Sequence, residues 1–164
     1  MKKCCLIGHR KVENIVKVTE KLKTTLINLI EKENVTTFLF GANGEFNDLC
    51  YKIVNELKSV YKLKTIFYSR YNEYAFTYEE KERYSYKSKK PFPYKCFDEI
   101  IEDETIHNAM LKYSYVLRNK KIIEESDFCL IYYRENYNLP NNSNSGTEIA
   151  FNYAKKIKKQ IIKI

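Results

Sequence analysis

Residues 4–10 read CCLIGHR, and they carry the strongest indication of the fold. The first four are an uninterrupted apolar run, which is typical of a strand buried on both faces of a parallel sheet. In such a strand, the adjacent Cys4 and Cys5 would point to opposite faces. The run ends at Gly8-His9-Arg10, and helical spacing follows it. These residues therefore predict a strand, a turn and a helix at the start of the chain.

The same alternation of apolar runs and helical stripes continues to the last residue. It predicts further strands over residues 36–40, 63–68, 127–133 and 160–164, and helices over residues 11–32, 46–61, 104–125 and from Ser145 onward. Strands that alternate with helices imply parallel β-α-β units with right-handed crossovers. The predicted fold is a Rossmann-like, doubly wound α/β domain, with a mostly parallel sheet of about five strands and helices on both faces.

Residues 1–164 contain no repeat and no linker, so we expect a single domain. The segment from about 71 to 105 is rich in Tyr, Lys, Glu and Ser and contains Pro91 and Pro93. It predicts an irregular excursion with at most one helix. Excursions of this length are commonly functional or mobile.

The composition favours a cytoplasmic protein. Five cysteines occur without a CxxC pair or a Cys/His cluster, which predicts reduced, buried thiols and no metal site. The first apolar run is too short for a signal peptide, and no apolar stretch is long enough to span a bilayer. The net charge of +8, from 29 basic and 21 acidic residues, suits a polyanionic partner or a solvated, Lys-rich exterior.

Small and polar residues follow the predicted strands where ligands of doubly wound sheets bind. Besides the GHR turn, Gly41-Ala42-Asn43-Gly44 follows the second strand, and Ser145-Gly146-Thr147 begins the last helix. Glycines at such turns let a ligand approach the backbone, and helix starts offer amides to an anion. The same residues can equally form a tight turn and an ordinary helix cap.

Several side chains could add to this site. Ser145 or Thr147 offers a hydroxyl, and Arg10, Arg70 or Arg118 offers a guanidinium that suits phosphate. His9 could act as an acid or a base near neutral pH, or it could merely hydrogen-bond the neighbouring loop. The sequence leaves both roles of His9 open.

Four stretches together resemble the stand-alone proteins of the SLOG superfamily, which are Rossmann-like. They are CCLIGHR (4–10), FLFGANGEFNDLCYKIVNELK (38–58), YVLRNKKIIEESDFCLIYY (115–133) and NSNSGTEIAFNYAKKIKKQIIKI (142–164). The resemblance covers nearly the whole chain except about 71–105. It implies ligand contacts at Gly8, His9, Arg10, Gly41, Ala42, Asn43, Gly44, Arg70, Arg118, Asn119, Ser145, Gly146 and Thr147.

The superfamily includes the LOG phosphoribohydrolases, DNA-processing protein A and sensor domains for nucleotide-derived signals. The resemblance thus implies a nucleotide or nucleotide-derived ligand, no cofactor, and assembly into homo-oligomers. One departure concerns catalysis. The phosphoribohydrolase signature ends in a Glu that assists glycosidic cleavage, and this chain has Ala150 at that position.

Three functions remain open from the sequence. The first is a binding module that senses, signals or sequesters a nucleotide-derived molecule. The second is an enzyme acting on nucleotides or nucleosides, such as an N-glycosidic hydrolase or transferase, and it is disfavoured by Ala150. Its catalytic residues are unassigned, with the carboxylates of Glu45, Asp48 and Glu148 as candidates. The third is single-stranded DNA binding, which the positive charge supports.

Overall fold

A single parallel sheet organises the protein, and helices cover both of its faces. The structure, a computed structural model, describes residues 1–41, 44–69, 97–135, 137 and 145–164. The strands are β1 (Lys2–Gly8), β2 (Val35–Phe40), β3 (Lys64–Ser69), β4 (Glu99–Glu102), β5 (Phe128–Tyr132) and β6 (Gln160–Lys163). The helices in these ranges are α1 (Ile15–Glu33), α2 (Glu45–Leu57), α3 (Glu104–His107), α4 (Leu111–Glu124) and α5 (Gly146–Lys156).

The strand order is β4-β3-β2-β1-β5-β6, and every neighbouring pair is parallel. The chain therefore builds outward from β1 in one direction and then returns to build in the other. The strand order reverses between β1 and β5, which is where open α/β sheets bind ligands beyond the carboxyl ends of the strands. This confirms the predicted Rossmann-like, doubly wound fold.

The two faces of the sheet bury different side chains of the same strands. Cys4 and Leu6 pack under α1 and α2, whereas Cys5 and Ile7 pack under α4 and α5. The alternation along β1 thus confirms that Cys4 and Cys5 point to opposite faces. The described cysteines are all free and buried, namely Cys4, Cys5, Cys50 and Cys129.

The number of strands was predicted wrongly. The sheet has six strands because β4 lies inside the segment that was expected to be an irregular excursion. This strand has only four residues, Glu-Ile-Ile-Glu, and pairs with β3 alone at the sheet edge. Since an edge strand is only half covered, it lacks the apolar run that marks the buried strands. Residues 71–96, which make up most of that segment, lie outside the described residues.

Two predicted helices also differ from the structure. The predicted helix over 104–125 is divided into α3 and α4 around Asn108–Met110, with Asp103 capping α3 through the Thr105 amide. Helix α1 begins at Ile15 rather than near Lys11, because a left-handed Asn14 precedes it. Its first two residues are exposed, Ile15 by 52% and Val16 by 67%.

Within the described ranges, none of the helices has the length and apolar character that crossing a bilayer requires. The same ranges contain no cluster of three or more His, Cys, Asp or Glu side chains suited to holding a metal ion.

Candidate ligand site at the carboxyl edge of the sheet

The GHR turn is fixed between α2 and β5. The Glu45 amide donates to the Arg10 carbonyl at 2.9 Å, and the Val12 amide donates to the Glu45 carboxylate at 2.9 Å. On the other side, the Glu13 amide donates to the hydroxyl of Tyr132 at 3.0 Å. The backbone after β1 is therefore held by the start of one helix and the end of a neighbouring strand. These hydrogen bonds order the turn, and the Arg10 side chain is exposed.

The GHR turn and the glycine loop are in direct contact at Gly44. This residue precedes α2 with a φ of +153°, and a Cβ placed on it would lie 2.8 Å from the Arg10 Cα. Side chains rarely adopt that backbone conformation, and the neighbouring atom is main chain, so only glycine fits. Two of the segments predicted to share a site are thus brought together by the fold.

Arg118 joins the same edge from the opposite face of the sheet. Its side chain is 1% exposed and lies against Gly41, directly after β2. A Cβ on Gly41 would lie 3.1 Å from both Cδ and Nε of Arg118 and 2.3 Å from the Ile122 side chain. The absence of a side chain at Gly41 therefore makes room for this guanidinium. Asn119, the next residue of α4, is half-buried.

The start of α5 completes the edge on the side of β5. Ser145 caps this helix, because its hydroxyl accepts from the Glu148 amide at 3.0 Å. Ser145 and Thr147 are buried, whereas Gly146 is exposed and a Cβ on it would meet no atom of the described residues within 4 Å. The first amides of a helix have no intrahelical acceptor, and the helix dipole favours an anion beside them. Among the described residues, nothing packs against Gly146 at this helix start.

His9 is placed differently from the other predicted site residues, because aromatic rings cover it. The imidazole is 1% exposed and stacks on Tyr137 at 4.0 Å and on Tyr133 at 5.8 Å between ring centroids. Burial lowers the pKa of His9 to about 4, with help from the Arg134 charge and against a backbone hydrogen bond with Arg134. His9 is therefore neutral at pH 7, and its Nε2 has no hydrogen-bond partner among the described residues.

The predicted site residues thus fall into four groups. The fold gathers Gly8, Arg10, Gly41, Gly44 and Arg118, with the neighbouring Asn119, around the ends of β1 and β2, and it sets Ser145, Gly146 and Thr147 after β5. His9 lies beneath Tyr133 and Tyr137 instead of facing open space. Ala42, Asn43 and Arg70 lie outside the described residues.

Sequence reasoning missed Asn47, which lies at this edge. Its side chain is 1% exposed, and neither its Nδ2 nor its Oδ1 atom has a hydrogen-bond partner among the described residues. A signal was available, because Asn47, Cys50, Val54 and Leu57 follow helical spacing and form one buried stripe. A polar residue on an apolar stripe indicates a buried polar group.

A depression of about 410 Å³ beside the end of β5 is less suited to an anion. It is lined by Glu13, Arg134, Glu135 and Lys163. Arg134 pairs with Glu13, and the Lys163 ammonium lies 2.7 Å from the Glu135 carboxylate. These cations already have carboxylate partners, so the depression offers no free positive charge.

One of the three candidate carboxylates, that of Glu45, already has partners in the fold. Glu45 is engaged with the Val12 amide and with the Lys11 ammonium, 2.6 Å away. Ala150 is buried in the core beneath α5, on the face that packs against the sheet. A carboxylate at that position would have to be desolvated, which carries a large penalty unless a partner neutralises it.

Comparison with known proteins gives a fold and no family. The sequence matches no protein-family model and no curated protein. Its structure is similar to that of DNA processing protein A from Helicobacter pylori, which was solved to describe a unique mode of single-stranded DNA binding. The TM-score is 0.58, the identity is 17%, and the match covers 99% of this chain and 64% of that chain. The likeness is one of fold. It agrees with the Rossmann-like architecture expected of SLOG proteins, and this chain spans less than two thirds of its neighbour's length.

Proposed function

We propose that this chain binds a phosphate-bearing nucleotide ligand at the carboxyl edge of its sheet. One observation carries the proposal: the GHR turn, the glycine loop and the α5 start all follow strands that end at this edge, next to the point where the strand order reverses. Nucleotides bind doubly wound sheets in that crevice. The role is that of a sensing, signalling or sequestering module.

The phosphate is assigned to the start of α5. Gly146 has open space around it, and Ser145 and Thr147 bring hydroxyl groups to the first turn. Backbone amides and the helix dipole favour a phosphate at such a position. Arg10, which is exposed, and Arg118, which lies across the edge beside Gly41, add positive charge.

The test compares a charged and a neutral side chain of similar size at position 146. We expect Gly146→Glu to fold normally, because no atom lies within 4 Å of the new Cβ and an acidic residue suits a helix start. Its carboxylate would occupy or repel the phosphate site. The matched control Gly146→Gln has nearly the same size without the charge.

Binding of ATP and of ribose 5-phosphate is measured by titration calorimetry. We expect Gly146→Glu to bind both at least about tenfold more weakly than Gly146→Gln. The Glu carboxylate within about 4 Å would repel the phosphate of the ligand, whereas the neutral Gln amide would not. Dissociation constants for both variants that equal those of wild type would remove the phosphate from this helix start.

Single-stranded DNA is the second candidate. It is favoured by the description of the structural neighbour from Helicobacter pylori and by the net charge of +8. Binding of a labelled oligo-dT strand at two salt concentrations tests it by fluorescence anisotropy. A polyanion that displaces counterions must bind more weakly as salt increases. If no oligonucleotide binds at low salt, the positive charge belongs to a solvated exterior.

Assembly into homo-oligomers stays a prediction of the SLOG resemblance, which light scattering in solution would test.

A further inference from the structure

Asn47 presents an unusual combination of burial and missing partners. Its carboxamide is 1% exposed, and both polar atoms lack a hydrogen-bond partner among the described residues. A buried amide of this kind normally has at least one partner, because desolvating it without one is unfavourable.

The position of Asn47 is set by the packing of α2. Tyr51, one turn later on the same side of the helix, contacts Phe40 at 6.0 Å and Phe97 at 5.1 Å between ring centroids. Phe40 is the last residue of β2. Because α2 starts at the carboxyl edge and one turn rises about 5.4 Å, Asn47 lies just beyond the end of β2. Side chains of a helix lean toward its N-terminus, so the carboxamide is directed to the first turn, where Gly44 begins the helix.

The chemistry of the missing partner follows from the carboxamide. It offers a donor and an acceptor side by side. A phosphate has only acceptors under these conditions and would satisfy Nδ2 while leaving Oδ1 without a partner. A nucleobase edge offers a donor beside an acceptor and satisfies both atoms at once. The N6 and N7 atoms of adenine are the edge that asparagine matches as a bidentate pair.

We propose that Asn47 binds the hydrogen-bonding edge of a nucleobase, with adenine preferred. This inference rests on the proposed function, because it assigns the base of the nucleotide whose phosphate is assigned to the start of α5. The two positions lie after β2 and β5, which are separated by β1 alone. With strands about 4.8 Å apart, that is roughly 10 Å across the sheet. The base and the phosphate are therefore assigned to opposite sides of the end of β1.

The test uses two variants and three probes. Asn47→Leu keeps the approximate size and removes both polar atoms, whereas Asn47→Asp keeps an acceptor and loses the donor. The probes are ATP, adenosine, which lacks phosphate, and ribose 5-phosphate, which lacks the base. Titration calorimetry gives the dissociation constants, and thermal unfolding without any probe gives the Tm of each variant.

We expect wild-type protein to bind ATP at least about tenfold more tightly than ribose 5-phosphate, which corresponds to about 1.4 kcal/mol. Asn47→Leu should bind ATP and adenosine more weakly than wild type does and leave the affinity for ribose 5-phosphate unchanged. Its Tm without probes should equal or exceed that of wild type, because an apolar side chain removes two unsatisfied groups. Asn47→Asp should also lose the preference for ATP.

The outcomes separate the two proposals. Equal binding of ATP and ribose 5-phosphate by wild type overturns base recognition and leaves phosphate binding intact. A lower Tm for Asn47→Leu also overturns it, since Asn47 would then be a structural residue. If adenosine binds in an Asn47-dependent manner while ribose 5-phosphate does not bind, the base assignment stands and the phosphate assignment fails. If no probe binds, both fail.

Discussion

Two helices begin at the same edge of the sheet, and their starts are built in opposite ways. Helix α2 begins at Gly44, which has no side chain to cap it, a φ of +153° and the Arg10 backbone against it. Helix α5 begins after Ser145, whose hydroxyl caps it, and the following Gly146 has open space around it. Both positions carry glycine, yet only at Gly44 does the fold itself require one.

The two glycines therefore differ in what requires them. The fold requires glycine at position 44, whereas no contact among the described residues requires glycine at position 146. At Gly44, any side chain would strain the backbone and meet the GHR turn. At Gly146, a side chain would meet no atom of the described residues, so packing among them does not explain the glycine. The proposed function would explain it, because a phosphate needs close approach to the α5 amides.

The largest effect on stability is expected at Gly44, before α2. Gly44→Ala should lower the free energy of unfolding by about 3 kcal/mol, because the new Cβ is forced into a disfavoured backbone conformation and lies 2.8 Å from the Arg10 Cα. Urea unfolding would report this as a lower midpoint with an unchanged slope. If the loss is no larger than about 0.5 kcal/mol, the α2 start relaxes easily and the contrast between the two helix starts disappears.

A smaller effect is expected from His9, which lies after β1 and so between the two helix starts. Its pKa is lowered to about 4 from an ordinary 6.5 by burial first and by Arg134 second. The unfolded chain therefore binds the proton more readily than the folded protein does. Stability is unaffected by this group above about pH 6.5 and falls as the pH decreases from there toward 4.

Urea unfolding of wild type and His9→Gln across pH 4–8 isolates this contribution, since the carboxylates are common to both proteins. We expect the variant to lose less stability than wild type between pH 6.5 and 4. If the two profiles run parallel, the His9 imidazole is accessible to solvent, as Gly146 at the start of α5 is. The region between the two helix starts would then not be covered by the tyrosine rings.

The sequence predicted the buried part of the fold well, for a physical reason. Residues 4–7 of β1 and the whole of β5 are buried and apolar because helices cover both faces of the sheet, and this leaves an uninterrupted run. The edge strand β4 reads Glu-Ile-Ile-Glu, and its Ile100 is exposed. Its pairing with β3 is a long-range event that local composition does not encode.

The candidate site was predicted in outline, because glycines and polar residues at strand ends are visible in the sequence. Their accessibility was not visible. His9 is covered by Tyr137, which lies 128 positions away in the chain and which no local pattern places beside it. Asn47 was overlooked because a single asparagine beside Phe46 looks like a solvent-facing residue until the packing of α2 shows that the position is buried.

The smallest effect on stability is expected at Gly146, at the start of α5. A substitution there tests the difference between the two helix starts most directly. Gly146 lies within α5 without a positive φ, so Gly146→Ala should raise the free energy of unfolding by about 0.5 kcal/mol by restricting the unfolded chain. The same methyl group would stand where a phosphate must approach the amides, so ATP should bind more weakly to this more stable protein. Thermal unfolding with and without ATP measures both quantities on one sample. A gain in stability with unchanged stabilisation by ATP would mean that the ligand does not approach Gly146, and a loss of stability would mean that Gly146, like Gly44, is required by the fold.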